Sequence, residues 1–483
     1  MVFNSLQYFL FLPGVFLLFY FTADRWRWLV LLLASVSFYA VLRVPYLLLA
    51  LALVTVTTYF SGISLAKHED SGRRKALFWG GVAANLLVLI GLKYLPFLTK
   101  NLNTLLSGLS WDFALPQSRI LVSIGVSYYV FQAISYLTDI YLEIEKPEKH
   151  FGHFALYMSF FPKLLQGPIE RAGDLLPQLR EKFEFNYDNM RFGLLMFAWG
   201  LFKKVVVADR LALYVDHVYG DVHSYSGLPL IIATYIYAIQ IYCDFSGYTD
   251  MALGTARIFN MRLTPNFNSP YLATSIADFW RRWHISFSRW ILDYIFKPLQ
   301  MQLRDRRSMG TALALVVTFL VSGIWHGAGW CFIVWGLLHG LYLAASVFYK
   351  PYQRKIHKKL GLERMMILTV WQRFLTFNLV CFSWIFFRTY NIKDSLNIVS
   401  HLFSGTSGTL AFFLAYGKVE IIVAICSLLI MLIVYLFTRD ENNVTRFLNG
   451  PIYVRWSAYY SLVVAIILFG KHFAEKQFIY TQF

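Results

Sequence analysis

Apolar stretches long enough to cross a bilayer recur along the whole chain, and nothing else in it narrows the choice of fold so far. PYLLLALALVTVTTYFSGISLA, LFWGGVAANLLVLIGLKYLPFL, CFIVWGLLHGLYLAASVFY and EIIVAICSLLIMLIVYLF are four of them. A spanning helix needs roughly 17–25 such residues, and in lipid only helices and closed barrels satisfy their own backbone. Counting by that length predicts about a dozen crossings, roughly 11–13. Among 483 residues 58% are hydrophobic, 18% aromatic and only 15% charged, far from a soluble composition. The expected architecture is an all-α polytopic integral membrane protein. It reads as a single integral domain over residues 1–483, because no Gly/Ser linker, low-complexity tail, soluble domain or clear internal repeat interrupts the helices. No Lys or Arg precedes the first apolar segment, Asn4 to Tyr20, and no small-residue cleavage site follows it. That segment is expected to remain as a helix.

The net charge of +17 raises the question of a nucleic-acid partner. Lys and Arg, however, sit in short loops between apolar spans, where the positive-inside rule puts them on the cytoplasmic face. The expected partners are therefore membrane lipids and no nucleic acid. AKHEDSGRRKA (66–76), the region 170–191, QMQLRDRRSM (300–309) and YKPYQRKIHKKLGLER (349–364) are the basic loops placed inside. The nearly uncharged KNLNTLLSGLSWDFALPQS (100–118) and the N-terminus fall outside. A multi-pass protein of the cytoplasmic (inner) membrane follows. Cys243, Cys331, Cys381 and Cys426 lie in apolar or motif segments without CxxC pairs and read as small buried hydrophobes. No metal site is expected: His150 and His153 have ligand-like spacing but lack a third ligand.

Several apolar segments carry residues that an ordinary span excludes. FPKLLQGPIER (161–171) sets Pro162, Lys163, Gly167 and Pro168 against an apolar helix. Two readings fit: a re-entrant piece covered by protein, or a plain helix end before a basic loop. YCDFSGYTDMALG (242–254) brings Asp244, Ser246 and Asp250 to the end of an apolar run. Intramembrane carboxylates line polar interiors or pair with cations, here Lys203 or Lys204, and both readings stand.

SIADFWRRWHISFSRWILDYIFKPL (275–299) is the richest segment. Laid on a helix, Trp280, Trp283, Phe287, Trp290, Ile291 and Tyr294 share one face, and Arg282, Ser286, Arg289 and Asp293 the other. An amphipathic interfacial helix is expected, with His284 on its apolar face pointing inward. A structural hydrogen bond and a catalytic or substrate-contacting role both suit such a histidine. His326 closes the run TALALVVTFLVSGIW, with Gly327 and Gly329 beside it. A helix rising from loop 300–309 carries it past the bilayer centre, toward the outer side. An ionisable group at that depth is a functional candidate, against the alternative of a histidine satisfied by a neighbouring helix. The chain has no GxSxG elbow, HExxH site, Walker loop or GxGxxG fingerprint, and no His-x4-Asp motif of soluble acyltransferases.

Taken together, these segments resemble the membrane-bound O-acyltransferase (MBOAT) family, and within it the alginate O-acetyltransferase branch. The likeness runs from MVFNSLQYFLFLPGVFLLFYF through SIGVSYYVFQAISYLTDIY, FPKLLQGPIER, GLFKKVVVADRL, YCDFSGYTDMALG, residues 266–299 and SGIWHGAGWCFIVWGLLHG to the closing FIYTQF. It departs in QMQLRDRRSMG, where the branch often has a glycine-rich loop, and in Gln166, where Ala is common. The resemblance implies helices around a central tunnel with a cytoplasmic opening for an activated acyl donor. It implies that His326 is the catalytic histidine and His284 the second position of a His/Asn pair. Trp325, Trp283, Arg281, Arg282, Asp244 and Ser246 are the candidate substrate-binding residues, the arginines, with Lys297, facing the donor's phosphates. No bound cofactor is expected; the donor is acetyl-CoA or an acyl-carrier thioester. The implied acceptor is an extracytoplasmic polysaccharide, alginate-like or peptidoglycan. It is reached with a separate serine-dependent acetyltransferase, and an acyl carrier protein is a further candidate partner. The rivals are a D-alanyl transferase to teichoic acid, and a proton-coupled transporter or flippase using Asp244, Asp250 and the histidines as a relay.

Overall fold

The computed structural model describes residues 1–110, 113–116, 123–361, 365–408 and 417–471. The ends of loops 100–118 and 349–364 and the closing FIYTQF lie outside the described residues. All regular elements there are helical, apart from an isolated bridge between Phe267 and Trp283.

The chain begins with α1 (Leu6–Phe21), α2 (Asp24–Ala40), α3 (Pro45–Lys67) and α4 (Ser71–Leu89), which runs through a π-helical turn, Ile90–Tyr94, into α5 (Leu95–Gly108). Then come α6 (Val126–Tyr141), the short α7 (Phe151–Ser159), α8 (Phe161–Leu164) and α9 (Ala172–Arg180), and α10 (Tyr187–Leu201). A second π turn, Phe202–Ala208, leads to α11 (Asp209–Gly220) and α12 (Leu228–Ile258). Two half-helices, α13 (Ile276–Arg282) and α14 (Ile285–Ile291), precede α15 (Lys297–Gln302), α16 (Arg307–His326), α17 (Trp330–Lys359), α18 (Met366–Arg388) and α19 (Ile392–His401). The last elements are α20 (Lys418–Thr438), α21 (Glu441–Leu448) and α22 (Ile452–Phe469). Among the described residues eight helices are long and apolar enough to cross a membrane, and α1 is a shorter apolar one. The other apolar segments are interrupted by turns or π bulges. Side chains start several helices: Ser5, Asp70, Asn186 and Ser275 each accept a hydrogen bond from a backbone N–H of the first turn.

Basic loops gather at one end of the bundle. Arg74 pairs with Glu143 at 2.5 Å, Arg171 with Asp293 at 2.9 Å and Arg180 with Glu148, joining the ends of α4, α6, α9 and α14. At the opposite end the Tyr39 hydroxyl donates to the Ile124 carbonyl at 2.7 Å, and the Trp330 indole to Asn101 Oδ1 at 3.0 Å. The chain is a multi-pass membrane protein whose basic loops share one face.

FPKLLQGPIER takes the re-entrant form. Residues 160–170 are all buried, and the segment returns to the basic end at Arg171. Its irregular backbone is met by side chains: Phe161 N–H donates to Ser35 Oγ and Ile169 N–H to Ser286 Oγ, both at 3.0 Å. Glu170 accepts from the Thr264 N–H at 2.6 Å, and Lys163 donates to Gln132. Such cover is what non-helical backbone at this depth requires. Gly125 lies against it with φ +81°, and a Cβ there would stand 2.8 Å from the Leu164 carbonyl oxygen, so only glycine fits.

Candidate functional site

His326 is the last residue of α16, whose 20 residues rise about 30 Å from the basic end. That places it at the opposite end of the span, as its sequence position predicts. Two glycines set the helix against α17: a Cβ on Gly323 would meet the Phe332 carbonyl oxygen at 2.3 Å, and one on Gly336 the Phe319 carbonyl oxygen at 2.3 Å. This close contact presses the His326 ring among aromatics. Its centroid lies 4.8 Å from Trp325 and from Trp335, and 5.4 Å from Phe287 and from Phe387.

His284 reaches the same cluster by a route the helical wheel does not predict. The continuous helix expected over 275–299 is broken at Trp283 and His284 into α13 and α14. His284 has φ +45°, a left-handed conformation uncommon for a residue with a Cβ. Asn266 holds the break open: its carbonyl accepts from Ile285 N–H at 3.0 Å and its Oδ1 from Ser286 N–H at 3.1 Å. A strand-like pairing of Phe267 with Trp283 flanks it. The break also turns Ser286, expected on the polar face, into the interior, where it receives the Ile169 N–H. His284 is fully buried, 4.7 Å from Phe245, 5.1 Å from Phe287 and 5.9 Å from Trp325 by ring centroid. The two histidines therefore flank one aromatic pair, Phe287 and Trp325, themselves stacked at 4.3 Å.

The remaining candidates separate. Trp325 belongs to the cluster. Trp283 stands behind it, packed on Phe267, Trp384 and Phe279. Arg282 pairs with Asp278 at 2.9 Å, whereas Arg281 is exposed and close enough to Lys350 of α17 to interact with it electrostatically. Asp244 is taken up in ion pairing, the structural reading offered above, and Ser246 accepts a hydrogen bond from a lysine. Lys204 Nζ lies 2.6 Å from Asp244 and 2.9 Å from Asp209, while Lys203 Nζ lies 2.6 Å from Asp250 and 3.0 Å from Ser246 Oγ. The π turn Phe202–Ala208 brings both successive lysines against α12. With each carboxylate held by a lysine, a proton relay through Asp244 and Asp250 loses its free acids.

Sequence reasoning missed two residues. His339, one helical turn after Trp335 on α17, accepts the Trp280 indole N–H at Nδ1 (3.2 Å), and its Nε2 lies 2.9 Å from Ser383 Oγ. Ser383 in turn donates to the Val380 carbonyl at 2.8 Å. With Nδ1 accepting and the serine proton used, Nε2 carries the hydrogen; this ring is neutral, satisfied and structural. Lys93, in the π turn Ile90–Tyr94, donates to the Trp325 carbonyl at 2.7 Å, to Ser127 Oγ at 3.3 Å and to the His326 carbonyl at 3.4 Å. Tyr94 donates to the Ile324 carbonyl at 2.8 Å. One bulge thus caps the last three carbonyls of the helix that ends in His326. The signal was a lone lysine inside LLVLIGLKYLPFL. Beside it the packing leaves a cavity of about 20 Å³, lined by Lys93, Ser123, Ser127, Tyr128, Trp325 and His326 among others, room for one hydroxyl-sized group.

An imidazole held in an apolar, ring-lined interior next to a small polar cavity suits general-base chemistry on a hydroxyl. The model of the MBOAT, membrane-bound O-acyltransferase, family matches residues 145–393. A peptidoglycan O-acetyltransferase of Helicobacter pylori is 35% identical over 77% of this chain and 72% of its own length. A probable alginate O-acetylase AlgI of Pseudomonas aeruginosa is 36% identical over 84% of this chain and 75% of its own. A teichoic acid D-alanyltransferase of Bacillus subtilis is 24% identical over 70% of this chain and 84% of its own.

Proposed function

The chain belongs to the membrane-bound O-acyltransferase family, and from that premise we propose that it moves an acetyl group from a cytoplasmic thioester to an extracytoplasmic polysaccharide. The acceptor is alginate-like or peptidoglycan, and the membrane is the cytoplasmic one. Acetyl-CoA or an acyl-carrier thioester is the donor. It approaches the basic end, where Arg281 and Lys350 attract its phosphates; Arg282 and Lys297, each paired to a carboxylate, contribute less. His326 takes the acceptor's proton as that oxygen attacks the thioester carbonyl, and His284 orients the reacting groups across Phe287 and Trp325. A separate extracytoplasmic serine-dependent acetyltransferase completes delivery to the polymer.

The observation that carries this reading is the place of His326: the end of a span that starts in a basic loop, walled by aromatics, with a polar cavity on its far side. The acetyl donor is preferred to D-alanine because the O-acetylating relatives are 34–36% identical and the D-alanylating ones 24–27%. The test is transfer of radiolabelled acetyl from acetyl-CoA in proteoliposomes, with and without a candidate extracytoplasmic partner. His326→Ala should lose about 10²- to 10⁴-fold in rate while remaining folded. A His326→Ala protein that transfers at the wild-type rate removes the base assignment. No label with any thioester, in folded wild type, removes the acetyl reading.

A further inference from the structure

An ammonium group inside a membrane protein is costly unless it is paired or used. The buried lysines of the second π turn follow that rule: Lys203 and Lys204 each meet a carboxylate within 2.6 Å. Lys93 does not. Among the described residues no Asp or Glu oxygen lies within 4.0 Å of its Nζ, and its partners are two carbonyls and one hydroxyl. Only the contact to Trp325 is short; those at 3.3 and 3.4 Å are weak enough to exchange for a better acceptor. The group lines the cavity beside His326, and so does Tyr128, whose buried hydroxyl has no hydrogen-bond partner among the described residues.

We propose that this cavity is the acceptor-side subsite of the transfer reaction and that Lys93 is a catalytic residue, its ammonium stabilising the oxyanion formed there. The proposal rests on the acyl-transfer reading above. The acceptor hydroxyl comes to the mouth of the cavity, with the thioester carbonyl oxygen seated inside, and gives its proton to the His326 ring as its oxygen bonds to the thioester carbon. The carbonyl π pair moves onto oxygen, producing an anion next to Lys93 Nζ and the Tyr128 hydroxyl. When that pair returns, the C–S bond breaks and the thiolate leaves with the proton from His326. The products are an ester and a free thiol. A cation fixed at this point, away from bulk water, acts only when the anion forms, which is the condition for lowering the barrier rather than tightening substrate binding.

Lys93 also caps α16, so the test must separate charge from capping. Lys93→Gln keeps an N–H for the Trp325 carbonyl and removes the charge; Lys93→Arg keeps both. Transfer is measured in proteoliposomes with labelled acetyl thioester, varying the donor, alongside wild type and His326→Ala. Lys93→Gln should melt near the wild-type temperature, keep its donor KM within about threefold, and lose about 10²- to 10³-fold in kcat, the cost of removing an oxyanion donor. Lys93→Arg should turn over at least about tenfold faster than Lys93→Gln. The proposal is overturned if folded Lys93→Gln works within about threefold of wild type, or if folded Lys93→Arg is no faster than Lys93→Gln. Should Lys93→Gln fail to fold, Lys93→Arg decides alone: a rate above about a tenth of wild type supports the proposal, and a lower one sinks it. Wild type that transfers label while His326→Ala does not leaves the acyl-transfer reading standing whatever the lysine shows.

Discussion

The Lys204 triad offers a direct way to separate a structural from a substrate-binding role for Asp244. Lys204 is about 1% exposed and its two carboxylates 3–4%, so the group carries one positive and two negative charges with almost no solvent. Asp244→Asn leaves Lys204 paired with Asp209 as a neutral couple. The loss is one charge-assisted hydrogen bond, about 1.5–3 kcal/mol. Lys204→Met is worse, because two buried carboxylates then lose the cation they share; breaking a buried pair from one side costs about 3–5 kcal/mol. The double variant should cost less than the sum of the two, with a coupling of about 1–3 kcal/mol. The assay is thermal unfolding of detergent-purified protein, followed by loss of the monodisperse species, with initial transfer rates normalised to folded protein. The expected order of melting temperatures is wild type, Asp244→Asn, then Lys204→Met, with donor KM unchanged in every folded sample. If Asp244→Asn melts with wild type and its donor KM rises tenfold, Asp244 belongs to the substrate and the argument from the ion triad fails.

Two further outcomes follow from the histidines. His284→Asn should fold, because Asn tolerates the left-handed backbone, and lose activity, whereas His284→Val should lose folded yield, since a β-branched residue is strained at φ +45°; equal yields of the two in membrane extracts would show that the turn imposes no such demand. His339→Phe leaves the Trp280 indole N–H without its partner, at about 1–3 kcal/mol for a buried group, while Ser383 keeps its bond to the Val380 carbonyl. Its melting temperature should drop while the rate per folded molecule stays close to wild type. A selective loss of kcat at full stability would make that histidine a participant in the reaction.

The membrane class, the basic face and the place of His326 at the end of a span were legible in the chain itself. Apolar run length and loop charge are local properties that the bilayer imposes on any sequence that crosses it, and a histidine closing a span is visible by its position alone. The re-entrant FPKLLQGPIER was half legible: its prolines announced a break. Whether protein covered that break depended on Ser35, Gln132, Thr264 and Ser286, which come from four distant segments. His284 was placed inward by periodicity, but the interior position comes from a turn that Asn266 holds open. A wheel cannot foresee it, because it assumes the helix whose interruption matters. The choice of Lys204 over Lys203 for Asp244, the satisfied tautomer of His339 and the approach of Lys93 to the end of α16 belong to tertiary structure alone. Each joins residues 40 to 233 positions apart. In a low-dielectric interior the role of a polar group is set by what stands within about 3 Å of it, and no one-dimensional pattern carries that distance.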